Sequence, residues 1–331
     1  MNKDSRIYVA GHTGLVGSAV VRELRRKGYT NLIIHDHFKN HNEKGFDKNA
    51  NGVDLRCGDC VLDLFYQEEP EYVFLAAAHA GGIKEAIDHP VEMLSDNILI
   101  QTNVINACHE FGVKKLINFG SSCLYPVDAE QPYREEQLGT GKTDENWSYA
   151  VAKLAGIELC RAYHRQHGSN FMTVMPCNIY GINDRFDEFG HVIPSLIRKF
   201  HGKDSMSIWG NPETKREFLY SDDLATICVN LMEGYCYEDL KDGVLNVGSG
   251  VEVSMLDLVE TIRKIVRTRA THDAVYSFDG KSDKAGVPSK LMDSSRMRAL
   301  GLEPKITLED GIRRVFDSYC ACDKSGKRQA A

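Results

Sequence analysis

Arg6-Ile7-Tyr8-Val9-Ala10-Gly11-His12-Thr13-Gly14-Leu15-Val16-Gly17 decides the fold. A short apolar run from Arg6 to Ala10 has the pattern of a buried strand. It turns through glycines at 11, 14 and 17 into a helical run from Ser18 to Lys27. Three glycines at this spacing meet three needs: a tight turn, a backbone close to a pyrophosphate, and close packing of helix on strand. The helix N-terminus then faces the negative charge. Gly11, Gly14, Leu15, Val16 and Gly17 are therefore candidate cofactor-binding residues. Glycine-rich turns are common, and it is the strand before this one and the amphipathic helix after it that raise its meaning.

The pattern repeats outward from there. Asn31 to His35 reads as a second strand, and Asp36 follows it about twenty residues past the last glycine, where a carboxylate can take the ribose hydroxyls of an adenosine. Its bland alternative is a solvated turn residue. Val53 to Cys57 reads as a third strand, with Asp59 just beyond it in reach of an adenine amino group. Tyr72 to Ala78 is almost continuously apolar, as a central parallel strand buried on both faces should be. Its small residues Ala76 and Ala77 let backbone lie against a cofactor. Lys115 to Gly120 is the next strand, reached through a helix from about Val91 to Phe111. Alternating strands and helices predict an α/β fold, a doubly wound parallel sheet of the Rossmann type.

Bulk properties agree with an enzyme of two lobes. The chain has 331 residues, 42% of them hydrophobic and 26% charged, enough for a sizeable core. A net charge of −7 argues against nucleic acid or an anionic membrane as partner. Ten cysteines read as scattered reduced thiols without metal-ligand spacing, so no metal is expected. No apolar run approaches the roughly 20 residues that span a bilayer, and a cytoplasmic protein is expected.

Chemistry enters after the fifth strand, at Ser121-Ser122-Cys123-Leu124-Tyr125-Pro126. Tyr149-Ala150-Val151-Ala152-Lys153 follows, and its spacing of four puts Tyr149 and Lys153 on one helical face. A lysine cation, with the positive charge of a nicotinamide, is expected to depress the phenol's pKa so that Tyr149 can exchange a proton with a substrate oxygen, and Ser121 could hold that oxygen. An exposed helix pair is the bland alternative for YxxxK alone. Combined with the glycine turn and the serine at a strand end, the set resembles the extended short-chain dehydrogenases/reductases.

Further blocks narrow the resemblance to the GDP-L-fucose synthases. They are Gly120 to Pro126, Tyr149 to Gly156, Met175 to Gly181, His191 to Pro194, Arg198 to His201, Trp209-Gly210, Arg216 to Leu219, Asp222-Asp223 and Lys290 to Asp293, running in order from about residue 6 to 313. The resemblance implies a 3,5-epimerase/4-reductase acting on a GDP-linked keto-sugar of the GDP-4-keto-6-deoxy-D-mannose kind. It implies Cys123 as base and His191 as opposed acid, with Ser121, Tyr149 and Lys153 as the reductive group. It further implies Pro176, Asn178 and Ile179 at the cofactor, and Asn178, His191, Val192, Lys199, Trp209, Arg216 and Lys290 at the substrate. Arg216 and Lys290 fall in predicted loops. Residues 1–177 would form the dinucleotide-binding domain, 178–323 mainly the nucleotide-sugar lobe, and 324–331 a flexible tail. A homodimer built on the helices near 91–111 and 149–167 is also implied.

Three departures stand beside this. His35-Asp36-His37 replaces the basic residue that usually receives a 2′-phosphate, so Asp36 argues for NAD(H) while the family habit favours NADP(H). Phe38 to Gly52 reads as a long exposed polar loop. His79 stands where the family often has lysine, beside the substrate pocket, which keeps a GDP-hexose or GDP-heptose 4-ketoreductase or epimerase open as an alternative. A non-catalytic cofactor-sensing protein is a third reading, opposed by the intact Tyr149 and Lys153.

Overall fold

Along the first strand, β1 (Ile7–Ala10), Ile7 and Val9 pack to one side of the sheet, and Tyr8 and Ala10 to the other. All four are buried, so the strand has a core on each face. The computed structural model describes residues 1–37, 52–143, 147–269, 273–280 and 287–324. The chain continues as α1 (Leu15–Arg26), β2 (Leu32–Ile33), β3 (Asp36–His37), β4 (Gly52–Val53), α2 (Gly58–Glu68), β5 (Tyr72–Leu75), α3 (Ile83–Asp88), α4 (Pro90–Glu110) and β6 (Lys115–Phe119). Then come α5 (Trp147–His167), β7 (Phe171–Pro176), β8 (Asn178–Tyr180), α6 (Val192–Gly202), β9 (Ser205–Ile208), β10 (Lys215–Tyr220) and α7 (Ser221–Gly234). The last elements are β11 (Val244–Val247), β12 (Glu252–Ser254), α8 (Met255–Arg267), β13 (Val275–Phe278), α9 (Ser295–Ala299) and α10 (Leu308–Lys324).

The main sheet has six strands in the order β11-β7-β6-β5-β1-β2, all parallel. It is the doubly wound Rossmann-type sheet that the alternation of elements predicts. One face carries α1 and α7, joined by Arg22 to Asp222 at 2.5 Å. The other carries α2, α4 and α5. Gly156 on α5 has no side chain where Gln101 of α4 lies, and the Gln101 amide donates to the Ala152 carbonyl. That close approach lets α4 and α5 pack tightly against each other.

A third core gathers Tyr180, Ile193, Phe200, Phe218, Leu258, Ile262 and Phe316 between α6, α8, α10 and a three-stranded sheet β12-β10-β8. Among the described residues no helix is long and apolar enough to cross a membrane.

The structure corrects several expectations. Of the expected third strand only Val53 is extended, and with Gly52 it pairs with Asp36 and His37 as a separate two-stranded ladder. Asp54 to Cys57 instead turns into α2, because Cys57 caps that helix and its sulfur accepts from the Cys60 amide at 3.3 Å. Cys57 and Cys60 form a disulfide, so these two are not thiols. Their Cα atoms lie 5.3 Å apart in the first helical turn, within bridging range. Arg216 lies in β10 rather than a loop. Of the long polar loop, 38–51 lies outside the described residues, as do 325–331 of the tail, while Gly52 is buried in β4.

Candidate active site

The glycine turn is shaped for a phosphate. Gly11 adopts φ 79°, and a Cβ there would stand 2.7 Å from the Ala77 backbone nitrogen. A Cβ on Gly17 would overlap the Gly11 carbonyl oxygen. These two glycines are therefore required by the protein itself. Gly14 is different: it meets only the Gly11 carbonyl oxygen at 3.5 Å, and as N-cap of α1 it offers no side-chain cap. Amides at an uncapped helix start suit an anion, so the residues present fit a dinucleotide pyrophosphate. Leu15 and Val16 open the helix beside it, and Ala76 and Ala77 close the turn from the end of β5.

Asp36 follows β2 with its side chain 63% exposed, and its Oδ1 lies 3.5 Å from His12 Nε2 of the glycine turn. A carboxylate at that edge can accept from ribose hydroxyls. Asp59 is exposed in the first turn of α2. On the far side Pro176 is buried at the end of β7, and Ile179 lies in β8 beside Leu219. The Asn178 amide donates to the Glu217 carbonyl at 2.8 Å, which ties β8 to β10.

β6 ends at Phe119, and a short 3-10 turn, Ser122–Leu124, follows with Ser121 as its cap. Ser121 Oγ accepts from the Cys123 thiol at 3.2 Å and from the Cys123 amide at 3.4 Å. α5 brings Tyr149 and Lys153 to the same place, with Lys153 Nζ 6.0 Å from the Tyr149 ring centre. Lys153 is 3% exposed. Burial lowers its ammonium to about 8, against small opposing effects of the Cys123 and Cys160 thiols. Burial, helped by Cys123, pushes the Tyr149 phenol well above its usual range, opposite to the lowering expected from a neighbouring lysine. The phenol is thus a proton donor at neutral pH.

His191 caps α6, with its side chain 42% exposed. Its Nδ1 lies 2.9 Å from Asp184 Oδ1. Desolvation pulls the imidazole down, but the Asp184 carboxylate outweighs it and holds the His191 pKa above the usual histidine value. Val192 follows on α6. Lys199 is on the same helix, half-buried, with burial and then Lys203 and Arg198 drawing its ammonium below the usual lysine range. Trp209 follows β9 and is 55% exposed. Arg216 stands opposite Val253 in the β10–β12 ladder, and the Lys290 amide donates to Glu252 Oε1 of β12 at 3.1 Å.

The structure thus gathers Ser121, Cys123, Tyr149 and Lys153 at one strand end, and spreads Lys199, Trp209, Arg216 and Lys290 over the second lobe. Several participants were missed from sequence. Asp184 is 3% exposed and Glu85 6% exposed. Arg185 reaches Glu85 at 3.3 Å and Asp187 at 2.9 Å, and Glu85 in turn holds His79 Nε2 at 2.9 Å. The charge-dense run Asp184-Arg185-Phe186-Asp187-Glu188 was the available signal. A strand-end serine, a YxxxK helix and a glycine turn that fits a dinucleotide are together equipped to move a proton at oxygen while a hydride moves at carbon.

Residues 7–248 match the NAD dependent epimerase/dehydratase family. The chain belongs to that family. Among its members, GDP-L-fucose synthase 1 of Arabidopsis thaliana is 42% identical over 96% of this chain and 94% of its own. Among solved structures, a GDP-6-OMe-4-keto-L-xylo-heptose reductase from C. jejuni superimposes with a TM-score of 0.86 and 31% identity, over 97% of this chain and 99% of its own. A GDP-mannoheptose C4 reductase from Campylobacter jejuni with NADP bound superimposes at 0.82, also 31% identical, over 97% and 99%. The likeness to proteins named for GDP-sugars therefore runs over nearly the whole chain and not over its first half alone.

Proposed function

We propose that this chain is a GDP-sugar 3,5-epimerase/4-reductase of the GDP-L-fucose synthase type, converting a GDP-4-keto-6-deoxy-mannose-like substrate to a GDP-L-sugar. The observation that carries the reading is Cys123, a thiol within hydrogen-bond range of the reductive Ser121 on a chain 42% identical to a fucose synthase. A simple ketoreductase needs Ser121, Tyr149 and Lys153; it has no use for a thiol among them.

In this reading a ketone at carbon 4 acidifies the C–H bonds at carbons 3 and 5. Cys123, once its own proton has left and it is a thiolate, removes a proton from one face, and the protonated His191 delivers one to the other. Ser121 and the Tyr149 phenol hold the carbon 4 oxygen, where the enolate charge gathers. When bound, a reduced nicotinamide supplies the hydride for carbon 4. Tyr149 gives its proton to the resulting alkoxide, and the Lys153 cation offsets the charge left on the phenolate. Gly11, Gly14, Leu15, Val16, Gly17, Asp36, Asp59, Ala76, Ala77, Pro176, Asn178 and Ile179 would hold the cofactor. Val192, Lys199, Trp209, Arg216 and Lys290 would hold the GDP-sugar, with a guanidinium at 216 suited to a diphosphate.

NADP(H) is the cofactor of choice here, on the NADP-bound Campylobacter relative, although Asp36 would repel a 2′-phosphate. We assign residues 1–177 mainly to the cofactor and 178–323 mainly to the GDP-sugar, in a cytoplasmic homodimer. Exposed Val91 and Leu99 on α4 support pairing through α4 and α5.

A GDP-heptose or GDP-hexose 4-ketoreductase without inversion is the second reading, favoured by the 0.86 likeness to the heptose reductase and by His79 near the pocket. Incubation with GDP-4-keto-6-deoxy-D-mannose in deuterated water, with NADPH and NADH in parallel, separates the two. Deuterium at carbons 3 and 5 of a GDP-L-fucose product supports the first. Reduction without deuterium supports the second.

A further inference from the structure

The geometry points to Asp184 as a positioning residue for the epimerisation: its carboxylate fixes the His191 ring and its charge keeps a proton on the nitrogen facing the sugar. This rests on the epimerase reading above and adds a residue to it.

Asp184 Oδ1 lies 2.9 Å from His191 Nδ1 and also accepts from the Arg185 amide at 2.8 Å. An ionised carboxylate can only accept, so in this pair Nδ1 carries the hydrogen. The exchangeable site is then Nε2, on a ring 42% exposed. Asp184 Oδ2 is buried and has no hydrogen-bond partner among the described residues. A carboxylate half satisfied in the interior is costly unless its charge serves something. The Arg185 guanidinium, the nearest cation in sequence, turns instead to Asp187 and Glu85. His191 is the one ion-pair partner of Asp184 within 4 Å among the described residues.

The loop itself is latched to the cofactor half. The Gly82 amide donates to the Phe189 carbonyl at 2.8 Å, Lys84 reaches Glu188 at 2.6 Å, and Arg185 reaches Glu85 at 3.3 Å. The charged groups acting on His191 are thus Asp184, which favours its cation, and Arg185, which opposes it. Arg185 is partly neutralised by Asp187 and Glu85. The arrangement favours the protonated imidazole and orients its ring through Nδ1.

The test follows His191 by nitrogen-15 NMR of histidine-labelled protein, assigned by loss of its signals in His191→Asn, beside deuterium wash-in at sugar carbons 3 and 5 from pH 6 to 9. In the unsubstituted enzyme neutral His191 should carry its hydrogen on Nδ1. In Asp184→Asn, which can still accept from Nδ1, the His191 titration and the alkaline limb of wash-in should both move down together. Wash-in at high pH then falls about tenfold for each unit moved. Hydride transfer should hold its pH limb, and Asp184→Glu should recover part of the shift. A neutral ring with hydrogen on Nε2, or a limb unmoved in Asp184→Asn, would overturn the role of Asp184 and leave the epimerase reading intact. Absence of wash-in by the unsubstituted enzyme would overturn the reading itself.

Discussion

The Cys123 thiol donates to the Ser121 hydroxyl oxygen at 3.2 Å. A residue proposed for carbon chemistry and one proposed for oxygen chemistry therefore share a hydrogen bond, and substitutions at the two should separate the steps. Cys123→Ser should lower deuterium wash-in at carbons 3 and 5 by about 10²–10⁴, the usual worth of a positioned base. NADPH oxidation with a non-epimerising keto-sugar should change far less. Ser121→Ala should lower both, since the oxygen it holds carries charge in each step. Equal loss of both activities in Cys123→Ser would assign the thiol to packing.

Lys153 makes the hydride step sensitive to alkali. Its folded pKa, about 8, lies below the usual lysine value because the ammonium is buried. Below that pH it is a cation and can support the phenolate that Tyr149 leaves behind; above it the support is gone. Hydride transfer, followed by NADPH absorbance, should therefore fall as pH rises through about 8. Lys153→Met should be slow at every pH and lack this limb, and Tyr149→Phe should lose about 10²–10⁴ in rate.

Two glycines should respond in opposite ways. Gly17→Ala drives a methyl group into the Gly11 carbonyl and opens the turn. NADPH affinity, measured by fluorescence titration, should fall more than about tenfold, the scale of 1.4 kcal/mol of lost contact. Gly202→Ala meets nothing within 4 Å at the end of α6 and should stabilise by about 0.4–1 kcal/mol with activity kept.

His79 ties stability to pH. It lies between Glu85 at 2.9 Å and Asp96 at 3.1 Å. Burial draws its pKa down, but hydrogen bonds to the two carboxylates win and raise it above the ordinary value. A raised folded pKa gives stability that is full below the unfolded pKa, near 6.5, and is lost as pH rises through the folded value. Thermal unfolding should therefore show Tm declining from pH 6 upward, and His79→Gln should flatten that decline.

The disulfide is open to direct counting. Alkylation of the denatured protein without reductant should label two fewer cysteines than after reduction. The four-residue loop closed by Cys57 and Cys60 sets the gain in stability at about 2 kcal/mol by the loop-entropy relation. Cys60→Ser should unfold at correspondingly lower urea.

The parts of the molecule legible in sequence are those whose meaning is local. Gly11, Gly14 and Gly17 carry their turn in their own spacing, and Tyr149 with Lys153 declare one helical face. The strands β1, β5 and β6 are written in runs of apolar residues. What escaped reading is set by partners far along the chain. Arg185 and Glu85 are 100 residues apart, and neither marks the other. The third strand was lost to Cys57, whose sulfur starts a helix where the apolar pattern suggested extension. The Cys57–Cys60 spacing was present but was passed over among ten cysteines. Asp184 needed the loop folded back on α6 before it had a role.

β11 enters the main sheet beside β7 only after the chain has left it to build α6, β9, β10 and α7. Every residue of β7 is buried, and β11 covers its outer edge from Val244 to Val247. A fragment ending at Pro176 would present that hydrophobic strand as an open edge, the kind of surface on which chains stick to one another. On the ribosome, the nucleotide half cannot close until some seventy further residues have emerged. The cofactor half is therefore not a detachable unit with a substrate lobe added behind it: a cut after β7 removes the strand that closes its sheet, and gene fusions should be made at the ends of the chain.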